Sequence, residues 1–121
     1  MAKTALDLTD EEISSYRITP TEWHTEDRRK KAFEIAHAIA ELLRENFGAK
    51  KVVAFGSIVD PKRFSPWSDI DIAVYGIQAD RFYKAIAVSI DVSHDFHVDI
   101  VDPEDCSPSL RQSIEKDGIE I

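Results

Sequence analysis

Val52-Val53-Ala54-Phe55-Gly56-Ser57 and, after eleven intervening residues, Asp69-Ile70-Asp71-Ile72-Ala73-Val74-Tyr75 are the two stretches that decide the fold. The first opens with a short continuous apolar run, the pattern of a strand buried on both faces. The second alternates: Ile70, Ile72 and Val74 share one face, and Asp69, Asp71, Ala73 and Tyr75 the other. Between them, Ile58 to Trp67 carries Asp60, Pro61, Ser65 and Pro66, so it reads as a loop with room for one helical turn. Downstream, Ala79 to Ile90 places Phe82, Ile86 and Ile90 at helical spacing. Phe96 to Val101 alternates again, with Phe96, Val98 and Ile100 opposite His97, Asp99 and Val101.

Further out, Thr25 to Phe47 reads as a long helix. Phe33, Ala36, Ala40, Leu43 and Phe47 recur three and four apart, and Ile35, Ile39 and Leu42 widen the stripe into a broad buried face. Gly48 follows as a left-handed stop. Ser107-Pro108 is an N-cap followed by proline at the first helical position, opening a helix that Gly118 closes. A last short strand is expected at 119–121. Upstream, Thr9-Asp10-Glu11-Glu12 has the form of a capping box, and Thr19-Pro20 ends the helix it starts. The organisation is therefore an N-terminal helical extension, residues 1–24, followed by one α+β (α/β) domain over 25–121.

The 121 residues carry 15 basic and 23 acidic side chains, for a formal charge of −8. Extended contact with a nucleic-acid backbone rests on Lys and Arg, which this balance argues against. The acid excess is −6 in residues 51–121 against −2 in the first fifty. No apolar run approaches the ~18 residues of a membrane span, and the Met1-Ala2-Lys3-Thr4 start lacks a signal-peptide core. A single cysteine, Cys106, cannot form an intramolecular disulfide, which fits a reducing cytoplasm.

The chemistry collects at the strand ends. Carboxylates at i and i+2 of a strand point the same way, roughly 6–7 Å apart at Cα, which suits hard cations. Asp99 stands on the polar side of the third strand. If the second and third strands are neighbours, Asp69, Asp71 and Asp99 converge. A Gly-Ser pair ending a buried strand lets a phosphate approach the backbone, with the serine hydroxyl and nearby amides as donors. Three carboxylates, two Mg2+ ions and a phosphate cradle form the kit for nucleotidyl transfer.

In these residues the chain resembles the DNA polymerase beta-type nucleotidyltransferases, and in size the minimal nucleotidyltransferases. The resemblance covers roughly residues 51–121. It implies the nucleotidyltransferase fold, a small mixed β-sheet packed against helices. It further implies that Gly56 and Ser57 bind the triphosphate of ATP, that Asp69 and Asp71 hold Mg2+, and that Asp99 completes the metal site and helps deprotonate the acceptor. The common minimal pattern has ten residues between the serine and the first aspartate, one fewer than here. Small-molecule-modifying relatives append a large helical acceptor domain, whereas only three residues follow Gly118 in this sequence. The acceptor is accordingly expected on another protein. Minimal nucleotidyltransferases are paired with HEPN RNase toxins, which they neutralise by transferring AMP. Two alternatives are a module that occludes its toxin without chemistry, and a stand-alone enzyme with a small acceptor.

Other residues have plainer readings. His97, on the face of Asp99, reads first as a strand surface residue. Asp102, next to Pro103, reads as a turn residue, and Asp91 and Asp95 as solvated. Arg28-Arg29-Lys30-Lys31 reads as a solvated helix face, and Lys62 and Arg63 as mobile cations within reach of phosphates. Trp67 is open between stacking on a nucleobase and packing the loop; Tyr16 and Trp23 between packing on the domain and on a partner. Cys106 carries no redox motif.

Overall fold

The computed structural model describes residues 25–121. The capping box at Thr9, the stop at Thr19-Pro20, Tyr16 and Trp23 lie outside the described residues. Helix α1 spans Thr25–Phe47. Its buried line is Ala32, Ala36, Ile39, Ala40, Leu43 and Phe47, so Ala32 takes the place expected of Phe33. Phe33, Ile35 and Leu42 are half-buried and pack along the flanks. The three alanines let the helix axis approach closely, and the larger side chains then fit only beside the contact line. Gly48, at φ +69°, ends the helix as expected.

Strand β1, Lys51–Phe55, is buried from its second residue onward. A 3-10 turn, Gly56–Val59, follows at once, and the loop then leads to β2, Ile70–Tyr75. Helix α2, Ala79–Ile90, crosses over to β3, Val98–Val101. A second 3-10 turn, Pro103–Asp105, precedes α3, Pro108–Asp117. The Ser107 hydroxyl caps α3 by accepting from the Leu110 N–H at 3.3 Å, and Gly118 donates its N–H to Ile114 at the other end. Strand β4 is Ile119–Glu120.

The sheet order is β3-β2-β1-β4. β1 runs antiparallel to β2 and β4, while β2 and β3 are parallel, the pairing that requires a crossover such as α2. This is a small mixed sheet packed against helices, as the resemblance implies. Side chains alternate between two cores. Val52, Ala54, Ile70, Ile72, Val74, Val98 and Ile100 face α1 and α2. Val53, Phe55 and Ala73 face Ile114 and Leu110 of α3. Asp71 lies on the second face by alternation, nearer the start of its strand than Ala73. No helix among the described residues is long and apolar enough to cross a membrane.

Leu43 is fully buried near the C-terminal end of α1 and Leu42 lies on the helix flank. Leu43→Ala is expected to lower stability by about 2–5 kcal/mol, and Leu42→Ala by less than half as much. Urea unfolding of the two variants checks the order, and equal losses would place the contact line elsewhere.

Candidate active site

Backbone geometry brings the two sequence motifs into contact. Phe55 of β1 pairs with Asp71 of β2, so the next residue, Gly56, falls beside the Asp71 side chain. Gly56 has φ +76°, and a Cβ there would lie 2.5 Å from Asp71 Oδ2. Both the conformation and the space call for glycine. Ser57 follows, half-buried in the 3-10 turn, with its carbonyl accepting from the Asp60 N–H at 3.1 Å.

On the other side, the parallel register sets Asp71 directly against Asp99. Asp69 and His97 stand one residue before their strands rather than on them. The rung there is Ile70 N–H to the His97 carbonyl at 2.9 Å. Their side chains meet loosely, His97 Nδ1 to Asp69 Oδ2 at 3.6 Å, and both are largely exposed. The three aspartates thus differ: Asp71 is half-buried between Phe55 and Asp99, while Asp69 and Asp99 face solvent.

Burial pushes the Asp71 carboxyl up from its usual 3.8 to about 6, with Asp99 and then Asp69 adding to the rise and His97 opposing it. A proton or a cation relieves such a cluster. The donor set is all carboxylate oxygen, which fits a hard divalent ion such as Mg2+. Among the described residues, however, no group of three or more His, Cys, Asp or Glu side chains is already closed into a metal cage. The aspartates are electrostatic neighbours.

A cavity of about 310 Å³ opens next to this cluster, lined by Gly56, Val59, Asp60, Arg63, Ser113 and Asp117. Arg63 therefore lines the same cavity as Gly56, while the Lys62 N–H donates to Asp60 Oδ1 at 3.0 Å. Trp67 is 66% exposed, so it does not pack the loop. It rides on a turn closed by Ser65 and Ser68, whose hydroxyl accepts from the Ser65 N–H at 2.8 Å. Asp102 is the turn residue expected, its Oδ1 accepting from the Glu104 N–H at 2.9 Å. The Cys106 thiol lies 3.4 Å from the Pro103 carbonyl.

Asp95 is exposed, as expected, and its Oδ2 also pairs with Lys31 Nζ at 3.0 Å, a hydrogen bond that holds its carboxyl below the usual range. The basic run, by contrast, is not only a solvated face. Arg28 Nε donates to the Pro66 carbonyl at 2.9 Å and Arg29 Nε to the Ile58 carbonyl at 2.8 Å. Both acceptors are backbone atoms, which no residue type announces. The one signal was the place of the arginines on a helix whose next turns are buried.

The family described as polymerase beta, nucleotidyltransferase matches residues 37–121. Among solved structures, a toxin–antitoxin complex with AMP-PNP is 27% identical, at TM-score 0.56, over 70% of this chain and 70% of that one. An MntA–HepT toxin–antitoxin structure is 25% identical, at TM-score 0.52, over 72% of this chain and 68% of the other. A variant of that pair, with aspartates two positions apart changed to glutamate, is 26% identical, at TM-score 0.55, over 70% of each chain. The chain has no significant match among curated proteins.

Two outcomes follow from this geometry. Gly56→Ala is expected to lower stability by about 1–3 kcal/mol, from strain at positive φ and the approach to Asp71, as read by urea unfolding; a neutral effect would mean the turn is not held. Asp71→Asn tests the raised carboxyl in metal-free buffer. Between about pH 4 and 6 the native chain keeps a proton that the unfolded chain has released, so wild-type stability falls as pH rises through that window. The variant is expected to be more stable at pH 8 by about 1 kcal/mol, after allowance for solvent screening. That advantage is expected to vanish by pH 4, and a constant difference from pH 4 to 8 would contradict the burial argument.

Proposed function

Because the chain belongs to the polymerase beta nucleotidyltransferase family, we propose that it is a Mg2+-dependent adenylyltransferase that moves AMP from ATP onto a partner protein, neutralising a HEPN-type RNase toxin as its antitoxin. The observation that carries this reading is the meeting of Gly56, Asp71 and Asp99 at one end of the sheet. Support for the setting comes from likeness to the MntA–HepT toxin–antitoxin structures and to the toxin–antitoxin complex with AMP-PNP. The net charge of −8 suits a basic, RNA-handling partner.

In this reading Asp69, Asp71 and Asp99 hold Mg2+, which supplies charge neutralisation at the phosphates and acidifies the attacking hydroxyl. Gly56 allows the triphosphate close to the backbone, and Ser57 offers its hydroxyl and amide. Arg63, on the rim of the neighbouring cavity, meets phosphate oxygens. The acceptor oxygen on the partner bonds to the α-phosphorus as the bond to diphosphate breaks. The proton released passes to Asp99, the solvent-facing member of the register pair. Strands rather than loops set Asp71 against Asp99, which holds the reacting groups in fixed relation.

The test is intact mass. The chain is incubated with ATP, Mg2+ and the protein encoded in the neighbouring reading frame. An AMP-sized gain is expected on that partner, absent for the Asp69→Asn/Asp71→Asn double variant and for CTP, GTP or UTP. A stable complex formed equally by wild type and variant, with no gain on either chain, overturns the transfer and leaves an inhibitor that acts by occlusion. A gain only on small acceptors, with no partner present, overturns the protein substrate.

A further inference from the structure

We propose that Arg28 and Arg29 are positioning residues that divide the site between them, Arg28 holding the aspartate-bearing loops and Arg29 holding the phosphate turn. For its catalytic consequence this rests on the transfer reading above. Both arginines precede the family-matched stretch, and neither touches a site carboxylate.

Arg28 bridges two loops with one guanidinium. Its Nε donates to the Pro66 carbonyl and its Nη2 to the Asp95 carbonyl, each at 2.9 Å. Pro66 lies three residues before Asp69, and Asp95 four residues before Asp99. The same guanidinium lies over the ring of buried Phe96, 4.1 Å from its centroid. Lys31 adds a second tie to Asp95 through its carboxylate at 3.0 Å. One planar fork thus fixes the entries of both parallel strands, β2 and β3, relative to each other. A lysine, with a single ammonium and no fork, cannot reproduce two divergent bonds and a stack.

Arg29 points elsewhere. Its Nε donates to the Ile58 carbonyl at 2.8 Å, and its guanidinium lies 5.1 Å from the Phe33 ring centroid. Ile58 is the centre of the 3-10 turn and the neighbour of Ser57. Charge-assisted bonds to backbone carbonyls are stronger than neutral ones, and each here ties a loop to α1. The two arginines therefore restrain different halves of the reaction: the relation of the carboxylates to one another, and the seat of the nucleotide.

The division predicts opposite kinetic signatures. In the AMP-transfer assay, Arg28→Ala is expected to lower kcat by about 10–100-fold with KM for MgATP changed less than about threefold. Arg29→Ala is expected to raise that KM by about tenfold with a smaller loss of kcat. Arg28→Lys is expected to recover part of the lost kcat, because the charge and one bond remain. Amide hydrogen exchange on the same full-length, metal-free proteins gives a second reading independent of activity. Arg28→Ala should speed exchange at residues 67–69 and 95–99 but not 56–60, and Arg29→Ala should do the reverse. If both variants loosen both regions alike, or lower kcat and raise KM in the same proportion, the division is wrong and the pair is merely structural. If the alanine variants do not fold, Arg28→Lys and Arg29→Lys are compared by the same exchange map. If wild type transfers no AMP, the transfer reading fails, while the exchange maps still decide whether the two arginines act on separate loops.

Discussion

The parallel pairing of β2 with β3 is the constraint from which the rest of the molecule follows. It places Asp71 level with Asp99, a like-charge juxtaposition that opposes folding unless something else secures the register. That security comes from the opposite face of the same strands, where Ile70, Ile72, Val98 and Ile100 are buried under α1 and α2. A slip of one residue would exchange these faces and bury the carboxylates. Parallel neighbours also need a crossover, and α2 supplies it while contributing Phe82, Ala85 and Ile86 to the same core. The hydrophobic side of the sheet thus holds in place a polar arrangement that disfavours itself.

Among the described residues, the cations of α1 are disposed so as not to cancel that arrangement. Arg28 and Arg29 donate to backbone carbonyls, and Lys31 pairs with Asp95, a carboxylate outside the cluster. Among the described residues only His97, exposed and 3.6 Å from Asp69, counters the rise at Asp71. A lysine or arginine among the aspartates would stabilise the fold and neutralise the cluster. The cluster instead keeps an unmet demand for positive charge, and rigidity comes from groups that hold the loops without neutralising them.

Those features divide according to how far they lie from local pattern. The strands around Gly56-Ser57 and Asp69-Ile70-Asp71 were legible because alternation and turn chemistry are written in consecutive residues. Helix α2 coincides with its expected bounds for the same reason, Phe82 and Ile86 recurring on one face. The line of α1 was displaced by one position, to Ala32 from Phe33, because the identity of the helix's neighbour, a closely approached sheet, is not a local property. Asp69 and His97 were expected on strands and lie one residue ahead of them, since side-chain alternation begins before the paired stretch does, even though the His97 carbonyl already accepts from the Ile70 N–H. The roles of Arg28, Arg29 and Asp95 were hidden for a stronger reason. Their partners are carbonyls 29 to 67 residues away or a lysine on another element, and a backbone oxygen carries no side-chain signature.

The additional residue between Ser57 and Asp69 can be weighed in the same terms. A loop insertion displaces the groups at its ends only if the loop sets their position. Here Gly56 is set against Asp71 by the β1–β2 ladder, in which Phe55 pairs with Asp71 whatever the length of chain between them. The loop is also tied near each end, at Ile58 by Arg29 and at Pro66 by Arg28, and Phe64 is buried in between. Between these ties the Asp60 carbonyl accepts from both Arg63 and Phe64 N–H groups, in a turn whose residues Pro61 to Arg63 are exposed and have room for an added residue. An extra residue absorbed there changes the rim, where Lys62 and Arg63 stand, and leaves the contact between glycine and aspartate as the strands dictate. Closing a loop longer by one residue adds only a few hundredths to about 0.1 kcal/mol. The departure from the ten-residue pattern therefore bears on the rim of the loop, not on whether the carboxylates and the Gly-Ser turn come together.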